Sequence, residues 1–275
     1  MPKLLILAGI GWCATSPLWF TLKRQKIVNT GISKETETLW FLENPDPVKR
    51  LAKRSSLYKY KNRKWGNANL IYSENVTLDN FIEYYSKLAS DEYKYVGEFS
   101  NQNSFLSENF LSKIASKLNK HFDVRVLVIT RDPVRRSYSK TSANYQRIVN
   151  KQFPDSISYW KHVLALPGQD VFKFSYVDIY KKFSQHFKTH AIVSEELWSG
   201  KTEELEKFLE CKLNGLHRNC YYPEMGTKAP RYEELSDQWT SDLQDLTDED
   251  YAYGKRHLQW IYDEWFEEFG TRPWE

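Results

Sequence analysis

The chain has 275 residues, 41% of them apolar and 16% aromatic, which is enough for a sizeable α/β core with elaborations. Thirty-nine basic against 36 acidic residues leave a net charge of +3, too balanced to point to a nucleic-acid partner. Three cysteines exclude a disulfide framework, and six scattered histidines offer no cluster at zinc spacing, so no metal is expected.

In chain order, Lys3 opens the apolar run Leu4-Leu5-Ile6-Leu7-Ala8, predicted as a strand. Gly9-Ile10-Gly11-Trp12-Cys13-Ala14-Thr15-Ser16-Pro17-Leu18 follows. A strand, a glycine-bearing turn and a hydroxyl-rich helix start make a phosphate cradle. The Gly-Lys-Ser/Thr ending of the Walker A pattern is absent, which disfavours a nucleotide triphosphatase. Thr15 and Ser16 equally suit the cap of a helix with Pro17 in its first turn. Leu4 to Phe20 carries no charge, yet it is short for a span and is broken by two glycines and a proline. Neither a signal peptide nor a membrane anchor is expected, and the predicted location is cytoplasmic, with Cys211 and Cys220 as thiols.

Next comes the polar loop Ser33–Glu37 with Lys34 and Glu35, followed by Trp40-Phe41. Lys49 to Lys64 carries eight basic and no acidic residues, with Tyr58, Tyr60 and, just after, Trp65 interleaved, which reads as a solvated face or as a surface for an anionic glycan, with nucleic acid the less favoured ligand. A helix is predicted over Thr77–Ser90, a strand over Tyr93–Gly97 leading to Glu98, and a helix over Asn109–Lys120.

Val124 to Thr130 is a β-branched apolar run suited to a buried parallel strand. Arg131 follows, then Asp132 as N-cap and Pro133 at the first helical position, with the helix expected to run to about Tyr145. The arginine beside a helix N-terminus, with Ser137 and Ser139 beyond it, forms anion-binding geometry; a capped helix with solvated arginines is the plain alternative. Strands are further predicted over Phe172–Tyr176 and Ala191–Ser194, and a helix over Glu203–Glu210. A closing helix over Asp248–Phe269 should turn Tyr251, His257, Ile261, Trp265 and Phe266 inward. Parallel strands separated by helices imply a three-layer α/β/α sheet with ligands at the strand C-termini, in one domain spanning residues 1–275.

Together these segments resemble the sulfotransferase family, whose donor is 3′-phosphoadenosine 5′-phosphosulfate and whose product is adenosine 3′,5′-bisphosphate. Trp12-Cys13-Ala14-Thr15-Ser16-Pro17-Leu18 falls on the family loop Lys-Ser-Gly-Thr-Thr-Ser-Leu, which wraps the 5′-phosphosulfate. Arg131-Asp132-Pro133-Val134-Arg135-Arg136-Ser137-Tyr138-Ser139 matches the family's Arg-Asp/Asn-Pro-x-x-Arg-x-x-Ser at every fixed position, which implies that Arg131 and Ser139 hold the 3′-phosphate. Lys34-Glu35 followed by aromatics is similar to the carbohydrate-modifying branch, where the glutamate is the general base. Cys211, Cys220 and Gly226-Thr227-Lys228-Ala229-Pro230 resemble a cysteine loop and a basic Gly-rich segment that closes over the nucleotide. The resemblance implies the P-loop-like sulfotransferase fold, a glycan or small-molecule acceptor and no metal.

The departures are specific. The family's loop lysine is Trp12 here and its glycine is Ala14, while the Glu-Lys-Ser/Thr-Pro motif appears as Glu98-Phe99-Ser100-Asn101. Either another cation substitutes (Lys34, Lys23 and Lys228 are candidates), or the donor binds in a shifted pose, or binding persists without turnover. Sulfuryl transfer is an in-line displacement resting on positioning and charge stabilisation. Glu35 is the expected base, with Glu98 second, and the amides of Ala14, Thr15 and Ser16 should stabilise the leaving oxygen. A catalytically impaired nucleotide- or glycan-binding protein is the alternative, and a P-loop small-molecule kinase a more distant one.

Overall fold

The computed structural model describes residues 1–31, 33–45, 69–72, 76–145, 153–166, 174–215 and 246–274. The basic stretch Lys49–Lys64, Cys220 and the Gly226–Pro230 segment with Lys228 lie outside the described residues.

Strands β1 (Lys3–Leu7), β2 (Val28–Asn29), β3 (Tyr95–Glu98), β4 (Asp123–Thr130) and β5 (Lys188–Val193) pair in parallel in the order β2-β3-β1-β4-β5. The register runs Lys3 to Leu7 against Asp123 to Leu127, and Arg125 to Thr130 against Lys188 to Val193. Leu4–Leu7 and Val126–Ile129 are all at most 1% exposed, so these central strands are apolar on both faces instead of alternating.

Helices flank the sheet, consistent with a three-layer α/β/α arrangement: α1 (Thr15–Arg24), α2 (Thr38–Glu43), α3 (Asn69–Tyr72), α4 (Leu78–Leu88), α5 (Glu108–His121), α6 (Pro133–Tyr145), α7 (Ser156–Ala165), α8 (Tyr176–Ser184), α9 (Ser194–Trp198), α10 (Glu203–Leu209) and α11 (Asp248–Phe269). A 3-10 turn spans Asn101–Phe105. Capping boxes start α4 (Thr77 with Asn80) and α11 (Thr247 with Asp250), which satisfies backbone donors that have no intrahelical partner. Hydroxyls of Ser107 and Ser175 and the Asp155 carboxylate cap α5, α8 and α7 in the same way.

From β1 the chain leaves toward β2, and from β4 it leaves the other way, toward β5. The C-terminal ends of β1 and β4 therefore flank a switch point, where an α/β sheet opens a crevice for ligands. Leu4–Phe20 forms the central strand and most of α1. Among the described residues no helix is long and apolar enough to cross a membrane.

Several expectations need correction. Tyr176 opens α8, and Phe174 and Ser175 are not in a strand, so the described part of the strand expected over Phe172–Tyr176 is absent. The strand expected to end at Ser194 ends at Val193, because Ser194 begins α9. In α11 the buried positions are Asp250, Gly254, Leu258, Ile261, Tyr262 and Trp265. Ile261 and Trp265 are buried as expected and Tyr251 is partly buried, whereas His257 is exposed and Phe266 is 42% exposed; Leu258 and Tyr262 take the inner positions instead.

Candidate functional site

The loop after β1 carries unusual backbone. Ala8 N–H donates to Leu127 O at 2.8 Å, tying the loop to β4. Gly9 passes so close to Ile129 and Thr15 that a Cβ there would collide with both side chains. Trp12 (φ 75°) and Ala14 (φ 57°, ψ 30°) occupy the left-handed region, which non-glycine residues enter at about 1–3 kcal/mol each. Ala14 is the N-cap of α1 and has no side chain to offer the first-turn amides. Thr15 and Ser16 thus stand inside the helix and do not cap it. Their hydroxyls are used elsewhere.

They face Lys34. Its Nζ donates to Thr15 Oγ1 at 2.9 Å and to Ser16 Oγ at 3.0 Å, and lies 3.0 Å from Glu35 Oε1. Lys34 is 9% exposed, whereas the Glu35 side chain keeps 32% of its surface open. Asn101, at the start of the 3-10 turn, accepts from Thr15 Oγ1 at 3.2 Å and donates to Glu35 Oε1 at 3.2 Å. A buried ammonium, two hydroxyls, an amide and a partly open carboxylate thus meet at the start of α1. Such a constellation can hold an oxyanion beside a proton acceptor.

Glu98 lies beneath this group and is fully buried. Its carboxylate accepts from Thr36 Oγ1 at 2.9 Å, Ser100 Oγ at 2.6 Å, Ser100 N–H at 3.4 Å and the Asn103 amide. Burial pushes the carboxyl above its ordinary range against the pull of these hydrogen bonds. Phe99 N–H donates to Lys34 O, and Glu37 N–H donates to Ser100 Oγ at 2.8 Å. Glu98 therefore anchors residues 34–37 against the end of β3, and Glu35 is the carboxylate left at the surface.

On the β4 side, α6 begins at Pro133 as expected, with the Asp132 carboxylate accepting from Arg135 N–H at 2.9 Å. Tyr251 and Tyr262 of α11 also donate to that carboxylate, at 2.5 and 3.3 Å. Arg131 is 6% exposed; its Nη1 donates to Trp12 O at 3.0 Å and its Nε lies 4.0 Å from Glu195 Oε1. Glu195 accepts from Asp132 N–H at 3.1 Å, from Ser194 at 3.1 Å and from the Trp274 indole at 3.3 Å. Burial raises its carboxyl above the ordinary range. Ser139 is partly buried, and its hydroxyl makes no hydrogen bond among the described residues. Ser137 is structural: it donates to Val134 O and accepts from the fully buried Trp160 at 2.9 Å.

Cys13 lies under the loop, fully buried, 3.7 Å from the Tyr176 hydroxyl, which itself donates to Arg131 O at 2.8 Å. Burial pushes the thiol up, so it stays protonated and is no nucleophile. Of the other candidate cations, Lys23 stands over the Trp19 ring at 5.0 Å, on the last turn of α1, and Lys228 lies outside the described residues.

Residues 12–16, Lys34, Glu35 and Arg131 are thus gathered at the C-terminal ends of β1 and β4, with Glu98 buried at the end of β3. Sequence reasoning missed Asn101 and Glu195. Asn101 had a signal, since it follows the Glu-Phe-Ser step, but the residue type expected there was different. Among the described residues no group of three or more His, Cys, Asp or Glu could hold a metal ion. No family model matches the chain, and no significant match to it was found among curated proteins.

Proposed function

We propose that the chain is a sulfotransferase that moves a sulfuryl group from 3′-phosphoadenosine 5′-phosphosulfate to a hydroxyl or amine, on a carbohydrate or a small molecule. The observation that carries this reading is Lys34. Its ammonium bridges the Thr15 and Ser16 hydroxyls and touches the Glu35 carboxylate, just beyond the end of β1, the neighbour of the strand β4 that leads to Arg131. A cation, helix-start amides and a base within hydrogen-bond reach of that cation are what in-line transfer of an anionic group requires. The P-loop-like sulfotransferase fold and a cytoplasmic setting belong to the same proposal; Leu4–Phe20, the segment that could pass for a leader, supplies the central strand of the sheet.

The residues present fit such a donor in charge and in chemistry. Lys34, Thr15, Ser16 and the amides from Ala14 onward would hold the phosphosulfate end; Arg131 and the Ser139 hydroxyl would hold the 3′-phosphate. The donor supplies the sulfuryl group. Glu35 accepts the proton as the acceptor's O–H bond breaks and its oxygen bonds to sulfur. Lys34 stabilises the charge left on the phosphate oxygen as the bridging S–O bond breaks. The Glu35–Lys34 contact ties base and cation together, so both face one reacting centre.

Calorimetric titration with adenosine 3′,5′-bisphosphate, beside ADP and AMP, tests the reading. Binding that depends on the 3′-phosphate is expected and opens the way to an acceptor screen with labelled donor. Equal binding of the three nucleotides, or none, overturns it; anion binding without nucleotide preference would favour the non-catalytic alternative.

A further inference from the structure

Arg136 is 2% exposed, and it is among the largest fully buried side chains of the protein. Its Nε donates to Gly11 O at 3.1 Å, and its guanidinium lies over the Phe174 ring with Cζ 3.8 Å from the centroid. Nη1 is buried and has no hydrogen-bond partner among the described residues. No carboxylate pairs with it among the described residues, and the cation that does lie near, Lys140 one turn along α6, is held below its ordinary pKa by burial and by Arg136 itself. A buried guanidinium with no counter-charge beside it is costly, so such a group favours an anion bound near it.

Its contact with the loop gives that charge a task. In a trans peptide the carbonyl and the following N–H point in opposite directions. Arg136 draws the Gly11 carbonyl toward α6, which turns the Trp12 N–H the other way. Arg131 does the same to the Trp12 carbonyl and hence to the Cys13 N–H. With Trp12 and Ala14 in the left-handed region, successive amides can then converge as an anion-binding nest.

We propose that Arg136 is a positioning residue for the anion cradle: it fixes the Gly11 peptide so that the loop amides face the anion, and the bound anion supplies a counter-charge that no described residue provides. This rests on reading the loop as the anion cradle, though not on the identity of the nucleotide. A residue present only for packing would be stabilising in the empty protein. One kept for an absent anion is a burden there, and its removal should spare or raise stability while weakening binding.

The test uses the full chain carrying Arg136→Met or Arg136→Lys, with inorganic pyrophosphate and adenosine 3′,5′-bisphosphate as probes. Affinity is read by calorimetry, the Trp12 and Cys13 amides by nitrogen-15 NMR, and anion-free stability by thermal unfolding. Arg136→Met is expected to weaken pyrophosphate binding by about tenfold or more. It should shift the Trp12 amide and leave the anion-free melting temperature unchanged or higher. Arg136→Lys keeps the charge without the fork, and is expected to recover part of the affinity but not the amide position.

A Met variant that melts lower yet binds pyrophosphate like the wild type would overturn the proposal. If that variant does not fold, the Lys variant decides: unchanged affinity with an unmoved Trp12 amide overturns it equally. Pyrophosphate binding by the wild type with no preference for the 3′-phosphate would sink the sulfotransferase reading, while the Arg136 role would still stand on the variants. No anion binding at all by the wild type would overturn both.

Discussion

The Nζ of Lys34 lies 2.9 Å from Thr15 Oγ1 although nineteen positions separate the two residues in the chain. The cation beside the Thr15 and Ser16 hydroxyls therefore comes from another segment, and the loop position Trp12 takes a positive φ. Charge-assisted hydrogen bonds contribute about 1.5–3 kcal/mol each, so Lys34→Met should weaken binding of adenosine 3′,5′-bisphosphate by about 10- to 100-fold. Calorimetry checks this; a loss below threefold would mean that the cation acts elsewhere.

The two carboxylates near the crevice should separate cleanly. Glu35→Gln is expected to lower turnover of labelled donor by about 10²–10⁴-fold with little change in urea stability, because the side chain is partly open and is the proposed base. Glu98→Gln presents an NH₂ to donors that already point at it, and should cost about 1–3 kcal/mol of stability. Urea melts and initial rates on both variants distinguish the roles. Turnover intact in both would remove the base assignment altogether.

Ala14→Gly should relieve the left-handed backbone at the head of α1. The steric relief of about 1–2 kcal/mol exceeds the added entropy of an unfolded glycine by a few tenths to about 1 kcal/mol, so a modest rise in melting temperature is expected. Gly9→Ala should do the reverse, because its Cβ meets Ile129 and Thr15 in the packed seam between β1, β4 and α1. Thermal unfolding of the pair gives opposite signs if the loop geometry is as described.

Acid should first help and then harm. Burial holds Glu98 and Glu195 above the ordinary carboxylate range, so the folded chain binds these protons at a pH where the unfolded chain does not. Stability accordingly rises as pH falls from neutral toward the ordinary carboxylate range. Glu210 runs the other way: hydrogen bonds from Lys3 and Arg125 hold it down at about 2, and its contribution is lost as pH drops toward that value. Melting temperature against pH should therefore peak in mild acid, and Glu195→Gln should flatten the neutral-side rise. An unchanged rise in that variant would show that Glu195 is not its source.

What the chain disclosed depended on where the information sat. β4 and α6 were legible almost to the residue, because an apolar run ending in Arg-Asp-Pro specifies a strand, a cap and a first helical turn locally. The two-residue β2 carries no such pattern, and its pairing with β3 is a tertiary choice. The Lys34–Thr15 contact was open only as one of several substitutions for the missing lysine, since side-chain reach across the sheet end is not written in spacing. Asn101 and Glu195 act through partners far along the chain, so single-sequence reading could not set them apart from solvated polar residues. In α11 the bounds were readable, but Gly254 packing against Trp160 fixes the rotation of the helix, and that contact is invisible in periodicity alone.

Residues 34–37 hang from the sheet's outermost ribbon, the two-residue β2, and are pinned to the end of β3 through Glu98, Ser100 and Phe99. Lys34 and Glu35 therefore ride on a segment that can open locally without unfolding the central strands. An anion in the cradle would clip that segment shut, because Lys34 reaches the loop only when the segment is seated. Slowed hydrogen exchange at residues 34–37 on anion binding, with β1 and β4 amides unmoved, would be the signature: the ligand completes its own enclosure.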